Sequence, residues 1–354
     1  MVWLMLLPIL LSIIIFLVRV KPESICGTDQ TLPITVVIAA RNEADFLPDL
    51  LRNLKEEGFC EIIVADDHST DATLRLSEEC GAVVVSLTDT HGKKAAITAA
   101  INHAKGEFIL QLDADVSLPE GFGGGIATVV GKNMDLVVLP VRIENQTTFL
   151  GEMQRIEQGM LQWVSYFFAS EGRPILANGA NMLYKRSAFM DLSGFAGNEQ
   201  WASGDDQFLL RKMIDAGKRV DHVLHDSVTV DVRPALDWSA FFSQRLRWAG
   251  KMTGVWNGLQ LFLGATALVL VWLPLIFLSH LLQQGLYGYD WLLLLPVLLW
   301  YGSHIFMLRS INSILGTSTP PITVIIASIF FALYAPVCAI LSIFVRPRWK
   351  GRVI

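Results

Sequence analysis

Four short runs of apolar, mostly β-favouring residues follow one another early in the chain, and no other feature narrows its fold more. They read ITVVIAA (34–40), EIIVAD (61–66), AVVVSL (82–87) and EFILQL (107–112). Nearly continuous hydrophobicity of this kind suits strands covered on both faces. Between the runs, 43–57 places Phe46, Leu47, Leu50, Leu51 and Leu54 at helical spacing, 70–80 opens on a Thr/Asp cap signal, and 92–104 is rich in Ala and Ile. The alternation predicts an α/β domain with a doubly wound, mostly parallel sheet. In such sheets ligands bind beyond the carboxyl ends of the strands. Acidic residues stand there: Asp66 and Asp67 close the second run, and Asp113 and Asp115 follow the fourth.

Alternate residues of an extended segment face the same way, so Asp113 and Asp115 can offer oxygens to a hard divalent cation, Mg²⁺ or Mn²⁺. Such an ion would neutralise a diphosphate leaving group. An Asx turn closing the strand is the structural alternative. In ADDHSTD (65–71), Ser69 or Thr70 is expected to cap the following helix, Asp67 can accept the N–H of a uracil ring, and His68 reads as a surface residue. Gly92-Lys93-Lys94 opens a helix whose N–H groups and ammonium could face phosphate; a solvated basic helix start is the alternative, and the Gly-rich run of a P-loop is missing.

Asn178-Gly179-Ala180-Asn181 precedes an apolar stretch, and Ser203-Gly204-Asp205-Asp206 precedes a helical pattern. Paired acids favour a helix N-terminus, and a carboxylate on a substrate-facing loop can also act as general base. From Asp237 to Asn257 an amphipathic pattern contains Gln244, Arg247 and Trp248: diphosphate donors and an aromatic face for an acceptor sugar. Membrane-interface binding accounts for the same pattern.

The composition, 52% hydrophobic against 17% charged, exceeds that of an ordinary soluble domain. Met1 to Val18 is an uninterrupted apolar run followed directly by Arg19 and Lys21, read as a transmembrane anchor over 1–20, and apolar segments at about 259–280, 291–308 and 322–345 are near spanning length. Arg19 and Lys21 direct the central domain to the cytoplasmic side, but three further spans would place the basic tail (346–354) outside, so the number of true spans stays open. The expected order is an anchor at 1–20, a catalytic domain at 33–235, an interfacial segment at 236–258, a membrane region at 259–345 and the basic tail.

A net charge of −5 with scattered basic residues argues against nucleic acid as a partner. Cys26, Cys60, Cys80 and Cys338 lie far apart and fit packing roles in a reducing compartment. The apolar segments carry only His280 and His304 as intramembrane polar candidates, weak support for a transporter.

The ordered set ADDHSTD, LDAD, SGDD and QRLRW resembles the membrane-associated family-2 glycosyltransferases of GT-A fold, which include cellulose, hyaluronan and poly-N-acetylglucosamine synthases and ceramide glucosyltransferases. The resemblance covers about 33–250. It implies a nucleotide-sugar donor, UDP-linked, a lipid or glycan acceptor, contact with membrane lipids and a site at the plasma membrane. It implies inverting displacement, with Asp206 as catalytic base. Asp67, Lys93, Asp113, Gln244 and Arg247 would bind the nucleotide, Asp113 and Asp115 the metal, and Trp248 the acceptor. The motif usually reading TED is GDD here, which alters the neighbour of the base. A membrane portion smaller than that of the large polymer synthases leaves processive and single addition both open. The alternative is a non-catalytic membrane subunit that binds a nucleotide sugar or a partner.

Overall fold

The computed structural model describes residues 2–18, 32–130, 134–198, 204–252, 270–284, 294–345, 348–349 and 352–353. Arg19, Lys21, Cys26, Ser203, the segment 253–269, residues 285–293, Arg346 and Lys350 lie outside the described residues, and so do the expectations placed on them. In chain order the first elements are α1 (Val2–Leu17), β1 (Leu32–Ala40), α2 (Leu47–Lys55), β2 (Phe59–Asp66), α3 (Thr73–Glu79), β3 (Val83–Ser86), α4 (Lys93–His103) and β4 (Phe108–Asp113). Next come α5 (Phe122–Val130), β5 (Leu136–Val138), β6 (Val141–Ile143), α6 (Phe149–Ser170), β7 (Asn181–Lys185), α7 (Arg186–Asp191), α8 (Asp205–Asp215), β8 (Val220–His222) and β9 (Val230–Val232). Helices α9 (Trp238–Met252), α10 (Leu273–Gln284), α11 (Leu294–Ile314) and α12 (Pro321–Phe344) precede the short pair β10 (Arg348–Trp349) and β11 (Arg352–Val353).

The chain forms two compact units. One comprises Pro22–Glu144 and Phe168–Pro234. Its seven-stranded sheet has the order β3-β2-β1-β4-β7-β5-β8. β1 pairs in parallel with β2 and β4, β2 with β3, and β5 with β8, while β7 runs antiparallel to β4 and β5. The four apolar runs of the sequence are thus the parallel half of a mostly parallel sheet.

Strand parity builds a core on each face. Ile34, Val36, Ile38, Leu110 and Leu112 pack with Leu47, Leu50, Leu51 and Leu54 of α2 and with Phe122 and Ile126 of α5. Val37, Ile63 and Ile109 face the other way, onto Ala96, Ile97, Ala100 and Ile101 of α4 and Leu209, Leu210 and Met213 of α8. Complete burial of each such aliphatic side chain is worth roughly 1.5–3 kcal/mol. The parity that sends Ile109 toward α4 and α8 also sends Gln111 and Asp113 there, and this places a polar site at the edge of the second core.

The other unit comprises Met1–Lys21, Asn145–Phe167 and Ala235–Val353, so it takes in most of α6. Here α1 packs against α11, and α9 against α12. The helices α11 and α12, with 21 and 24 residues, are long and apolar enough to cross a membrane. At 1.5 Å per residue the 16 residues of α1 span about 24 Å, short of the roughly 30 Å hydrocarbon core. The aromatic face of α9, expected at a membrane interface, is partly covered by protein: Phe241 is fully buried, its ring 5.2 Å from that of Tyr334 on α12.

Candidate active site

The parallel strands deliver their ends to one edge. Ala40 of β1 is level with Asp66 of β2, and Ala39 with Asp113 of β4. Asp66 and Asp113 therefore flank β1 at the same end of the sheet, about 10 Å apart by strand spacing. β7 runs the other way, so its first residue, Asn181, lies opposite Leu112. The Asn178–Ala180 loop thereby sits at that edge too. Asn178 Oδ1 accepts the Ala180 N–H at 3.1 Å, and fully buried Asn181 donates Nδ2 to the carbonyls of Pro140 and Val228, both at 2.9 Å, anchoring the loop.

Lys93 stands at the centre. Gly92 takes φ +97°, and the helix begins at once after it, so Lys93 occupies the first turn of α4. Its ammonium lies 2.6 Å from Asp113 Oδ1, 3.4 Å from the Gly179 carbonyl and 3.7 Å from Asp205 Oδ2. Burial works against the charge on Lys93, but Asp113, Asp205 and Asp206 overcome it and hold its pKa well above that of an ordinary lysine. The Lys93 ammonium is thus held among carboxylates at the strand ends.

Gln111 ties the network together. This fully buried side chain donates Nε2 to the Gly179 carbonyl at 3.1 Å and to Asp205 Oδ2 at 3.2 Å, while its Oε1 accepts the Tyr184 hydroxyl at 3.0 Å. Burial, and then the Asp205 charge, push the Tyr184 phenol well above its usual pKa, so it remains a donor. Asp205 and Asp206 open α8, where the helix dipole favours them. Asp206 accepts the Gln207 N–H at 2.8 Å on Oδ1 and the Gly179 N–H at 3.3 Å on Oδ2, which fix its orientation. A Cβ on Gly179 would stand 3.2 Å from Asp205 Oδ2, 3.3 Å from the Asp206 Cβ and 3.4 Å from the Lys93 Nζ, so only glycine lets the backbone approach this closely without displacement. Gln111, Gly179 and Tyr184 escaped the sequence reading as site residues. A lone glutamine in the strand FILQLD was the available signal.

The second cluster lies at the end of β2. Both Asp66 carboxylate oxygens accept the Ser69 N–H, at 3.3 and 3.2 Å, which closes the turn. Buried Asp67 donates its N–H to the Ala40 carbonyl at 2.9 Å, and Arg41 donates to the Asp67 carbonyl at 3.0 Å. Ser69 and Thr70 do not cap α3, whose N-cap is Ala72 without a side-chain bond. Instead Ser69 Oγ accepts the Asn42 N–H, Asn42 Oδ1 accepts the Thr70 N–H, and Asp71 accepts the Thr73 N–H. The hydroxyls that could cap a helix are spent on joining two loops. His68, expected at the surface, is half-buried.

Asp115 follows Asp113 just past the end of β4 and is half-buried. The structure thus brings Lys93, Asp113, Asp205 and Asp206 together, with Asp67 on the loop after β2, across β1 from β4. Gln244, Arg247 and Trp248 belong to α9 in the other compact unit, and all three are half-buried. There the buried arginine of QRLRW is Arg245, which donates Nε to Glu157 Oε2 at 2.9 Å and lies 4.2 and 4.5 Å from the ring centres of Phe241 and Trp248.

Residues 35–193 match the model for glycosyl transferase family 2. The chain carries a family-2 glycosyltransferase domain. An undecaprenyl-phosphate 4-deoxy-4-formamido-L-arabinose transferase of Pseudomonas fluorescens is 38% identical over 99 residues, which cover 24% of this chain and 28% of that protein. A poly-beta-1,6-N-acetyl-D-glucosamine synthase of Staphylococcus aureus is 29% identical over 182 residues, 49% of this chain and 43% of the synthase. The chain thus spans less than half the length of these relatives. Among solved structures, the mannosyltransferase PcManGT from Pyrobaculum calidifontis, in complex with GDP-Man and Mn²⁺, is similar with a TM-score of 0.52 at 18% identity, covering 96% of this chain and 92% of that one. The glycosyltransferase domain has the GT-A fold.

Proposed function

We propose that the chain is a membrane-bound glycosyltransferase that moves a sugar from a nucleotide diphosphate donor, UDP-linked, to a lipid or polysaccharide acceptor with inversion. One observation carries this reading. Around the Lys93 ammonium stand three carboxylates, Asp113, Asp205 and Asp206, an excess of acidic oxygen donors over the ammonium they share. Such an excess fits a hard cation, and oxygen donors suit Mg²⁺ or Mn²⁺. Asp113 and Asp115 would hold the ion, which supplies neutralisation of the donor diphosphate when bound.

The protein groups have separate tasks. Asp67 accepts the ring N–H of the base. Lys93 restrains Asp113 and places positive charge near the diphosphate. Asp206, held by two backbone N–H groups, takes the proton of the acceptor hydroxyl as that oxygen attacks the anomeric carbon and the diphosphate leaves. Gln244 and Arg247 are assigned to the diphosphate and Trp248 to the acceptor sugar, roles that rest on the QRLRW pattern. The two long apolar helices and the lipid- or polysaccharide-directed relatives support a membrane setting; the assignment of the catalytic domain to the cytoplasmic side rests on Arg19 and Lys21, and the plasma membrane on the family resemblance.

The test is nucleotide release from a panel of sugar nucleotides by the full chain in membranes, with and without chelator. One or more donors should be turned over, chelator should abolish the signal, and Asp206→Asn should slow turnover by roughly 10²–10⁴-fold with the nucleotide still bound. Unchanged turnover in that variant would defeat the assignment of the base. Nucleotide binding with no turnover of any donor would favour a non-catalytic subunit.

A further inference from the structure

We propose that Asp67, His68 and His91 form a second metal site, selective for a borderline transition ion of the Zn²⁺ class, and that its occupation competes with the nucleotide base. The competition rests on the function proposed above; the metal site does not.

The donor set comes first. One ligand atom from each of the three residues lies within 4.8 Å of the other two. Tetrahedral zinc, with bonds of about 2.0–2.1 Å, needs its ligands about 3.3 Å apart, so the cluster must tighten by about 1.5 Å. The gradient of burial allows this: Asp67 is buried, His68 half-buried, and His91 exposed and able to swing inward. Two imidazoles and one carboxylate suit zinc and its neighbours far better than Mg²⁺ or Mn²⁺, which prefer all-oxygen shells. The site is therefore chemically unlike the Asp113 and Asp115 pair.

The histidines are also arranged as ligands are. Their ring centres lie 4.2 Å apart. A His68 ring nitrogen, Nε2, is 3.0 Å from the Thr90 carbonyl, which can only accept, so Nε2 carries the proton and the lone pair falls on Nδ1. A backbone carbonyl fixing the tautomer of a histidine is the usual support for a metal ligand. His68 is moreover held at φ +59°, in the left-handed region, where a residue with a Cβ is strained. A carboxylate whose charge is given to the metal is a weaker acceptor for the N–H of a base, and an ion bridging Asp67 to His68 and His91 fills the space in front of it, so ion and nucleotide should compete at Asp67.

The experiment titrates Zn²⁺, and separately Co²⁺ as a spectroscopic probe, into the chelator-washed full chain in detergent with excess Mg²⁺ present to occupy oxygen-only sites. One Zn²⁺ per chain should bind, and Co²⁺ should show the bands of a low-coordinate, nitrogen-ligated ion. His91→Gln, at an exposed position, should weaken binding at least about tenfold. His68→Asn, which tolerates the left-handed backbone, should do the same, while Asp115→Asn should leave Zn²⁺ affinity unchanged. Equal affinity in the wild type and His91→Gln, or loss of Zn²⁺ binding in Asp115→Asn alone, would overturn the site. With the site established, added UDP should displace Zn²⁺. Independent binding of both would overturn the competition, and with it the placement of the base at Asp67, while leaving the metal site standing.

Discussion

Lys93 and Arg245 are both cations enclosed by protein, one at the sheet edge and one among the helices of the other unit, and they are balanced differently. Arg245 faces one carboxylate, Glu157, and its guanidinium lies against Phe241 and Trp248. Charge is matched one to one, and aromatic faces occupy the flanks. Lys93 stands among Asp113, Asp205 and Asp206, so its neighbourhood keeps a negative excess. A matched, stacked pair has nothing left to attract and serves to fix α9 against α6. A cluster in which several carboxylates share one lysine offers oxygen donors to a further cation, and binding sites are built from such arrangements.

The sharpest way to break this comparison is to remove one partner from the matched pair. Arg245→Met should lower stability by about 3 kcal/mol, because half-buried Glu157 is left as an uncompensated charge. The double variant Glu157→Met with Arg245→Met should recover most of that loss, as read from thermal unfolding in detergent. If the single variant costs nothing, Arg245 is not a structural cation.

Acid should separate the regions next. His222, at the end of β8 in the unit that carries the sheet, donates Nε2 to the Leu176 carbonyl at 2.7 Å, and burial lowers its pKa to about 4. Its ordinary value is about 6.5, so the unfolded chain takes up a proton first as pH falls. The stability tied to neutral His222 is complete above about pH 6.5 and is lost toward pH 4, an effect on the order of 3 kcal/mol. Hydrogen exchange against pH should show amides of β5 and β8 losing protection over that range in the wild type and much less in His222→Gln.

Divalent cation sharpens the contrast from the other side. Mn²⁺ at a hundredfold excess over its dissociation constant should stabilise the sheet unit by about 2.7 kcal/mol. Asp113→Asn with Asp115→Asn should abolish the shift, and the Arg245 variant should retain it. The smallest effect is expected at Gly179→Ala, where crowding against Asp205, Asp206 and Lys93 should cost about 1–3 kcal/mol, with turnover falling more than stability predicts. A melting temperature and a turnover rate on the same sample check it.

Much of the glycosyltransferase domain was legible because its signals are local. The runs ITVVIAA, EIIVAD, AVVVSL and EFILQL each declare a strand within a few residues, and all four fold as strands; AVVVSL alone is not covered on both faces, because β3 lies at the sheet edge with Val83 exposed. The placement of Asp113 at a strand end and of Asp206 at a helix start was legible as well. Less visible was α6, whose 22 residues mix buried Arg155, Gln154 and Gln158 with apolar positions and so carry no clean periodic stripe. The capping role expected of Ser69 and Thr70 failed for a similar reason: a hydroxyl near a helix start is equally good at bonding a neighbouring loop, and Asn42, far away in sequence, settled the choice.

The sequence by itself determined the alternation of strand and helix, the end of the sheet that bears acid, and the presence of apolar helices long enough for a bilayer, since each depends on the period and polarity of contiguous residues. Tertiary structure alone decided which charges meet. Lys93 reaches Asp113 across 20 residues, and Gln111 reaches Asp205 across 94. Such pairings follow from sheet order and strand parity, which bring separate helix starts to one edge. Electrostatic balance depends on distance in space, and no spacing along the chain encodes that distance until the sheet has formed.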